Sequence, residues 1–286
     1  MNVDSWQFKL LEFYGLRVPH PGQWRIHAFL RKWLGADVNA YLQVSRDGHI
    51  WVLNPSDYVQ SELFWLGTRD TWDIFQLKRL LQPGFVMFDV GANFGHYSIT
   101  LADALQRNCR VHAFEPFPLN LQRLRTNIKL NGLDGVIQVH PIGFSDSAGS
   151  GSMTVRSDNS GAATLAKTGS VEGVTVELTT LDEFCTRQHV DKVDFIKIDV
   201  EGYEEKLLIG GSKTIGKFLP LIFIELDPPK LLRAGSSVER VVGRLREFGY
   251  EMFVSCRKQL VPLRELPRGQ DILNAICMKK GTAREL

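Results

Sequence analysis

Twelve residues limit what this chain can fold into more than any others: Gly84-Phe85-Val86-Met87-Phe88-Asp89-Val90-Gly91-Ala92-Asn93-Phe94-Gly95. Phe85 to Phe88 and Val90 form a short apolar run broken only by Asp89. Such a run between turn signals suits a strand buried on both faces of a parallel sheet. Gly91 and Gly95 then bracket a tight turn, and Tyr97, Leu101, Ala104 and Leu105 continue at helical spacing. Strand, glycine turn and helix together make a nucleotide site. The glycines let the backbone approach a ligand, and the helix start offers free N–H groups.

The spacing is G-x-x-x-G, not the G-x-G-x-x-G of a dinucleotide-binding turn. Val111-His112-Ala113-Phe114-Glu115 reads as the next strand, ending in an acid. A carboxylate there can accept hydrogen bonds from both hydroxyls of a ribose. Without that role, Asp89 and Glu115 are loop-edge acids.

A second stretch, Val193-Asp194-Phe195-Ile196-Lys197-Ile198-Asp199-Val200-Glu201-Gly202-Tyr203-Glu204, begins as another buried strand. Alternation puts Lys197 and Asp199 on one face, where they are costly unless paired or used. Pro220 to Asp227 is a third apolar strand ending in acids, Glu225 among them. Sites in open α/β sheets lie beyond the carboxyl ends of strands, which gathers Asp89, Glu115, Asp199 and Glu225 on one edge. Asp199 with Glu225 or Asp227 offers hard oxygen ligands suited to Mg²⁺. The alternatives are that Glu225 binds loop backbone or substrate, and that Lys197 and Asp199 form a purely structural pair.

Strand and helix alternate at 85–90, 96–106, 110–114, 117–131 and 136–140, which argues a doubly wound, mostly parallel sheet. Residues 58–82 read as helix, 145–173 as a hairpin-like excursion with a strand from Val171 to Leu178, and 237–249 as helix. Strands at Tyr250–Ser255 and Ile272–Met278 suggest a late antiparallel hairpin at the sheet edge. Residues 1–57 form an addition to a main domain at 58–286. Trp6, Leu10, Phe13 and Tyr14, then Ile26, Leu30, Trp33 and Leu34, keep helical spacing around a break at Pro19-His20-Pro21-Gly22. That pair of helices suits packing on the main domain, or else a lid, a homodimer surface or a weak membrane contact. Tyr41 to Leu53 suggests a β-hairpin turning at Asp47-Gly48.

The chain has 286 residues, 44% of them hydrophobic, with a formal net charge of +2. That balance gives no electrostatic case for nucleic acid. Cys109, Cys185, Cys256 and Cys277 are scattered without C-x-x-C spacing, so reduced thiols and a cytoplasmic location are expected. Neither a signal peptide nor an 18-residue apolar run is visible, so no transmembrane segment is expected.

The combination resembles the FkbM family of S-adenosylmethionine-dependent methyltransferases. It rests on Asp89-Val90-Gly91-Ala92-Asn93-Phe94-Gly95, Phe114-Glu115-Pro116, Asn127 with Asn131, Ser145-Asp146, Leu181-Asp182, Ile196 to Glu204 and the Pro220 to Glu225 strand. The match spans roughly residues 60–230. Gly143 stands where alanine is common, and Tyr203 where a small residue is frequent. The resemblance implies a seven-stranded Rossmann-like methyltransferase sheet and S-adenosyl-L-methionine as cofactor. It further implies O-methylation of a small-molecule or glycan acceptor, such as a sugar or natural product. In this chain Asp89, Gly91, Ala92, Asn93 and Gly95 would cradle the methionine part and Glu115 the ribose. Ile142 and Gly143 would line the adenine, and Asp199 would lie near the transferred methyl.

Base candidates for the acceptor hydroxyl are Asp199, Lys197, Glu201 and His140, with Mg²⁺ on Asp199 and Glu225 as another route. His96 reads as a helix-start residue. The rival functions are an NAD-dependent oxidoreductase, which leaves Lys197 to Glu204 unexplained, and a non-catalytic S-adenosylmethionine-binding protein.

Overall fold

The computed structural model describes residues 5–18, 20, 22–34, 38–156, 159–165, 173–269 and 271–281, with side chains throughout except at 154–165. The chain divides into two compact units.

The first unit holds helices α1 (Trp6–Arg17) and α2 (Gln23–Trp33), strands β1 (Leu42–Arg46) and β2 (His49–Leu53), and helix α3 (Gln60–Leu66). Ser5 caps α1, accepting from the Phe8 N–H at 3.3 Å. The β1–β2 hairpin pairs Arg46 with His49, so Asp47 and Gly48 make a two-residue turn, both with positive φ. Phe8 and Leu11 of α1, Trp51 and Leu53 of β2, and Leu63, Phe64 and Trp65 of α3 form the buried interior. Phe8 packs on Trp65 with ring centres 4.8 Å apart. The face of α1 that is buried is therefore Phe8, Leu11 and Gly15. The regularly spaced Trp6, Leu10 and Phe13 are exposed instead. Gly15 decides this choice, since a Cβ there would lie 2.1 Å from the Trp65 carbonyl oxygen. Pro19 and Pro21, at the expected break, lie outside the described residues.

The second unit opens with α4 (Thr71–Leu80), whose first residue ends the preceding unit. The single helix expected over 58–82 is thus two. Gly67 ends α3 in the left-handed conformation, φ 73°, with its N–H on the Leu63 carbonyl, and Asp70 is left-handed too. Then follow β3 (Phe85–Val90), α5 (His96–Ala104), β4 (Cys109–Phe114), α6 (Pro118–Leu130), β5 (Ile137–His140) and β6 (Ile142–Phe144). Next come β7 (Gly149–Arg156) and β8 (Asn159–Leu165), in which Val155–Ala162 is assigned to the first unit, then β9 (Val174–Thr179), α7 (Leu181–Arg187) and β10 (Phe195–Ile198). The chain continues through α8 (Glu204–Gly210), α9 (Ser212–Phe218), β11 (Leu221–Leu226), α10 (Pro228–Arg233) and α11 (Val238–Glu247). It closes with β12 (Tyr250–Cys256), β13 (Gln259–Pro262) and β14 (Leu273–Lys279).

The main sheet runs β13-β12-β14-β11-β10-β3-β4-β5. The strands from β11 to β5 are mutually parallel, while β14, β12 and β13 pair antiparallel. It holds the seven strands expected of this class and an eighth, β13. That strand pairs with β12 through a turn at Arg257-Lys258, which lacks the usual glycine or asparagine. The late hairpin is therefore β12–β13, and the final strand β14 inserts between β11 and β12. The Gly- and Ser-rich excursion forms a separate four-stranded sheet, β6-β9-β7-β8. Val171, where a strand was expected to begin, lies outside the described residues, as does Glu172.

Strand order reverses between β3 and β10. From β3 the chain steps outward to β4 and β5, then returns to lay β10 and β11 on the other side. Ligands bind at such a switch point, beyond the carboxyl ends of the strands. An aromatic cluster braces it from below. The Phe114 ring lies 4.8 Å from that of Phe144 and 4.9 Å from that of Phe184.

Candidate functional site

The site is assembled where β3 and β10 end side by side. Their register pairs Lys197 with Asp89, so the two side chains share one face of the sheet. Lys197 Nζ is 3.5 Å from Asp89 and 3.4 Å from Asp199, and it donates to the Gly91 carbonyl at 2.7 Å. Asp89 uses its other oxygen to accept from the Ser98 N–H at 3.1 Å and the Ser98 hydroxyl at 2.6 Å. The buried carboxylate thus ties the strand to the first turn of α5. Burial would lower the Lys197 pKa, but the charges of Asp199, Asp89 and Glu225 outweigh it and hold the ammonium protonated.

Gly91 has φ 78°, and a Cβ there would fall 1.8 Å from the Asp199 carbonyl oxygen. Only glycine lets the two strand ends approach this closely. The Gly91 and Ala92 N–H groups both donate to the Phe114 carbonyl. Asn93 is left-handed at φ 51°, and its Oδ1 is buried without a hydrogen-bond partner. Asn127 Nδ2 donates to the Phe94 carbonyl at 2.9 Å, fixing the turn from α6. Gly95 is the N-cap of α5, so His96 is indeed the residue that starts that helix.

Glu115 follows β4 and is buried. One of its oxygens accepts from the Asn93 N–H and the other from the Phe117 N–H, each at 2.9 Å. Burial pushes its carboxyl up to about 7, against those two N–H donors. Each oxygen retains capacity for one more donor. Gly143, in β6, stands close by, since a Cβ on it would lie 3.5 Å from the Pro116 ring and 2.9 Å from Leu178. Ile142 precedes it in the same strand. His140 is on β5, stacked in the Phe114–Phe184 cluster and 3.0 Å from His112 Nδ1. Burial lowers its imidazole to about 4.

The sequence reading missed Lys230. Its Nζ lies 2.8 Å from Glu225, 3.1 Å from Glu201 and 3.3 Å from Asp227. Burial would lower its pKa, but Glu225, Glu201 and Asp199 drive it well up. The local signal was present in Asp227-Pro228-Pro229-Lys230. Asp227 caps α10, accepting from the Lys230 N–H at 3.0 Å, and two prolines set the helix start. Lys230 is thereby turned back toward the strand-end acids. Gly202, φ 104°, makes room, since a Cβ there would sit 2.5 Å from the Lys230 carbonyl oxygen. Glu204 Oε1 clamps the same turn, accepting from the Val200 and Gly202 N–H groups.

This arrangement gives no support to the expectation of Mg²⁺ on Asp199 and Glu225. The Lys230 ammonium sits against Glu225 and balances its charge. Among the described residues no group of three or more His, Cys, Asp or Glu side chains is placed to hold a metal.

Strand order, glycine turn and the acid after β4 define the class: an α/β domain of the methyltransferase type. Comparison with known proteins then fixes the family. The profile described as "Methyltransferase FkbM domain" matches residues 89–252, from the acid of β3 into β12. The chain belongs to the FkbM methyltransferase family. It is 29% identical over 199 residues to the 31-O-demethyl-FK506 methyltransferase FkbM of Streptomyces tacrolimicus, covering 58% of this chain and 70% of that protein. It is 25% identical over 193 residues to the 2-O-methyltransferase NoeI of Sinorhizobium fredii, covering 60% of this chain and 76% of that one. It is also 26% identical over 272 residues to the AMB antimetabolite synthetase AmbE of Pseudomonas aeruginosa. That match takes in 82% of this chain but only 12% of the synthetase's length. Among solved structures, a methyltransferase FkbM from Methylobacillus flagellatus aligns with 94% of this chain and 58% of its own, at 17% identity and a TM-score of 0.45. Nothing here favours the oxidoreductase alternative.

Proposed function

We propose that this methyltransferase uses S-adenosyl-L-methionine to O-methylate a hydroxyl of a sugar, glycan or natural product, with Asp199 as the base. The observation that carries the reading is the difference in access among the strand-end acids. The Asp89 side chain is 4% exposed and that of Asp199 35%. Asp89 and Glu115 are held by backbone and hydroxyl donors, whereas Asp199 stands at the mouth of the switch point.

The residues present fit the cofactor. The glycines let the turn pack against the Asp199 backbone at Gly91 and the Leu124 side chain at Gly95, and Asn93 Oδ1 is a buried acceptor lacking a donor. Glu115 retains acceptor capacity for two ribose hydroxyls. When bound, the sulfonium supplies an already activated methyl group. Asp199 would accept the acceptor's hydroxyl proton as its oxygen takes the methyl and the methyl–sulfur bond breaks, the electron pair staying on sulfur. Lys197 is a fixed ammonium, so it orients Asp199 and takes no proton. Glu201, bound by Lys230 at the neighbouring turn, positions the rim. The name of one relative, a 2-O-methyltransferase, and the 31-O-demethyl substrate in the name of another favour oxygen as acceptor.

The test is mass spectrometry of a pool of hydroxylated sugars, glycans and natural products incubated with the enzyme and methyl-labelled cofactor. One labelled methyl on an acceptor oxygen is expected. Cofactor binding by calorimetry without transfer to any member of the pool would favour a non-catalytic binding protein instead.

A further inference from the structure

Helix α1 has two apolar faces. Phe8, Leu11 and Gly15 are buried, and on the opposite side Trp6, Leu10 and Phe13 stand at i, i+4 and i+7, with Trp6 65% and Phe13 61% exposed. Helix α2 repeats the arrangement with Ile26, Phe29 and Trp33, of which Phe29 is 67% and Trp33 72% exposed. Exposed lysines and arginines accompany the two stripes: Lys9 and Arg17 on α1, Arg25 and Lys32 on α2. The only acid in either helix is Glu12, which pairs with Arg46.

We propose that these two helices dock on the surface of an anionic lipid bilayer, with the aromatic stripes in the headgroup layer. Exposed tryptophans beside cations are what an interfacial helix presents. Neither helix could cross, because α1 has 12 residues and α2 has 11, against the roughly 20 that a span needs. Charge decides between a membrane and a second copy of the chain. A two-fold dimer through this face would bring like cations together, whereas anionic headgroups complement them.

The test is co-sedimentation of the full chain with phosphatidylcholine vesicles, with and without phosphatidylserine. The chain is expected to bind the phosphatidylserine vesicles, and less so in high salt. Phe29→Glu with Trp33→Glu should lower the partition coefficient by about a hundredfold or more. Arg25→Ser with Lys32→Ser should lower it by about twenty-five-fold for anionic vesicles, roughly fivefold per charge, and leave neutral vesicles unaffected. Far-UV circular dichroism and the thermal midpoint confirm that both variants stay folded. Absence of binding by the parent, or equal binding by parent and Phe29→Glu/Trp33→Glu, overturns the proposal. So does a dimer in analytical ultracentrifugation that this same double substitution dissociates.

Discussion

Lys230 Nζ sits 2.8 Å from the Glu225 carboxylate, where two neighbouring strand ends would otherwise confront each other with unbalanced negative charge. Burial raises the pKa of both Glu225 and Glu201, and Lys230 opposes that rise. Lys230→Met removes the ammonium that lies against these two acids and leaves buried carboxylates facing one another. The expected cost at pH 8 is about 3–5 kcal/mol. Both acids then bind protons more readily in the folded than in the unfolded chain, so the deficit shrinks as pH falls. Urea denaturation of parent and variant at pH 8 and pH 6 measures this, with the smaller gap at pH 6.

Asp199→Asn keeps the side chain's shape and removes its basicity. Methyl transfer should fall by about 10²–10⁴-fold, with cofactor affinity within severalfold of the parent. Because the Lys230 ammonium balances the charge of Glu225, EDTA should leave the parent's rate unchanged. Steady-state rates and calorimetry together read both outcomes. Full activity in Asp199→Asn removes that residue from the chemistry.

With Glu115 proposed as the ribose ligand, cofactor binding should depend on pH. Its carboxyl is pushed up to about 7 by burial, so the ionised form, the better acceptor for two hydroxyls, is lost as pH falls below that value. Affinity for S-adenosylmethionine should therefore weaken from pH 8 to pH 6. Glu115→Gln should bind about 10–100-fold more weakly at pH 8 and show a flatter pH dependence. Calorimetry across that range would expose an error here if parent and variant fell in parallel.

The sequence made these acids legible because each ends an apolar run, and alternation fixes which face it takes. Asp89 and Asp199 fall on one rim by that reasoning alone, with Lys197 on the face of Asp199, and the strand register adds that Lys197 lies opposite Asp89. Lys230 was not found because its partners come from different elements: Glu225 from β11 and Glu201 from the turn after β10. Period arguments within one element do not reach that far. The α1 stripe shows the opposite failure. Trp6, Leu10 and Phe13 have helical spacing, but spacing does not say which of two apolar faces packs. Gly15 settled it through close approach to the Trp65 backbone. The strand β13 went unseen because its turn carries no glycine or asparagine.

Gly91→Ala tests the close approach of the two strand ends. The new Cβ would fall 1.8 Å from the Asp199 carbonyl oxygen, a backbone atom, at a φ of 78°. No side chain can give way to relieve this, so β3 and β10 must separate at the switch point. The expected loss is about 2–4 kcal/mol of stability, with cofactor binding impaired in whatever fraction still folds. Gly84→Ala is the control, since nothing lies within 4 Å of its Cβ although φ is also positive. Equal thermal midpoints for the two variants would contradict the steric account.

Glu204 offers a pH-dependent stability signature separable from catalysis. Burial pushes its carboxyl from 4.5 up to about 7, opposed by the Gly202 and Val200 N–H groups, and its Oε2 is buried without a hydrogen-bond partner. Between those two values the folded chain holds a proton that the unfolded chain has released. The contribution to stability is therefore fully present below pH 4.5 and is lost as pH rises through 7, a change of up to about 3 kcal/mol. Glu204→Gln keeps an acceptor for both N–H groups and cannot ionise. Its stability should fall less than the parent's between pH 5 and pH 8, so that the variant gains on the parent at the alkaline end. Chemical denaturation at closely spaced pH values reads the slope directly, and identical slopes would mean that Glu204 is ionised throughout.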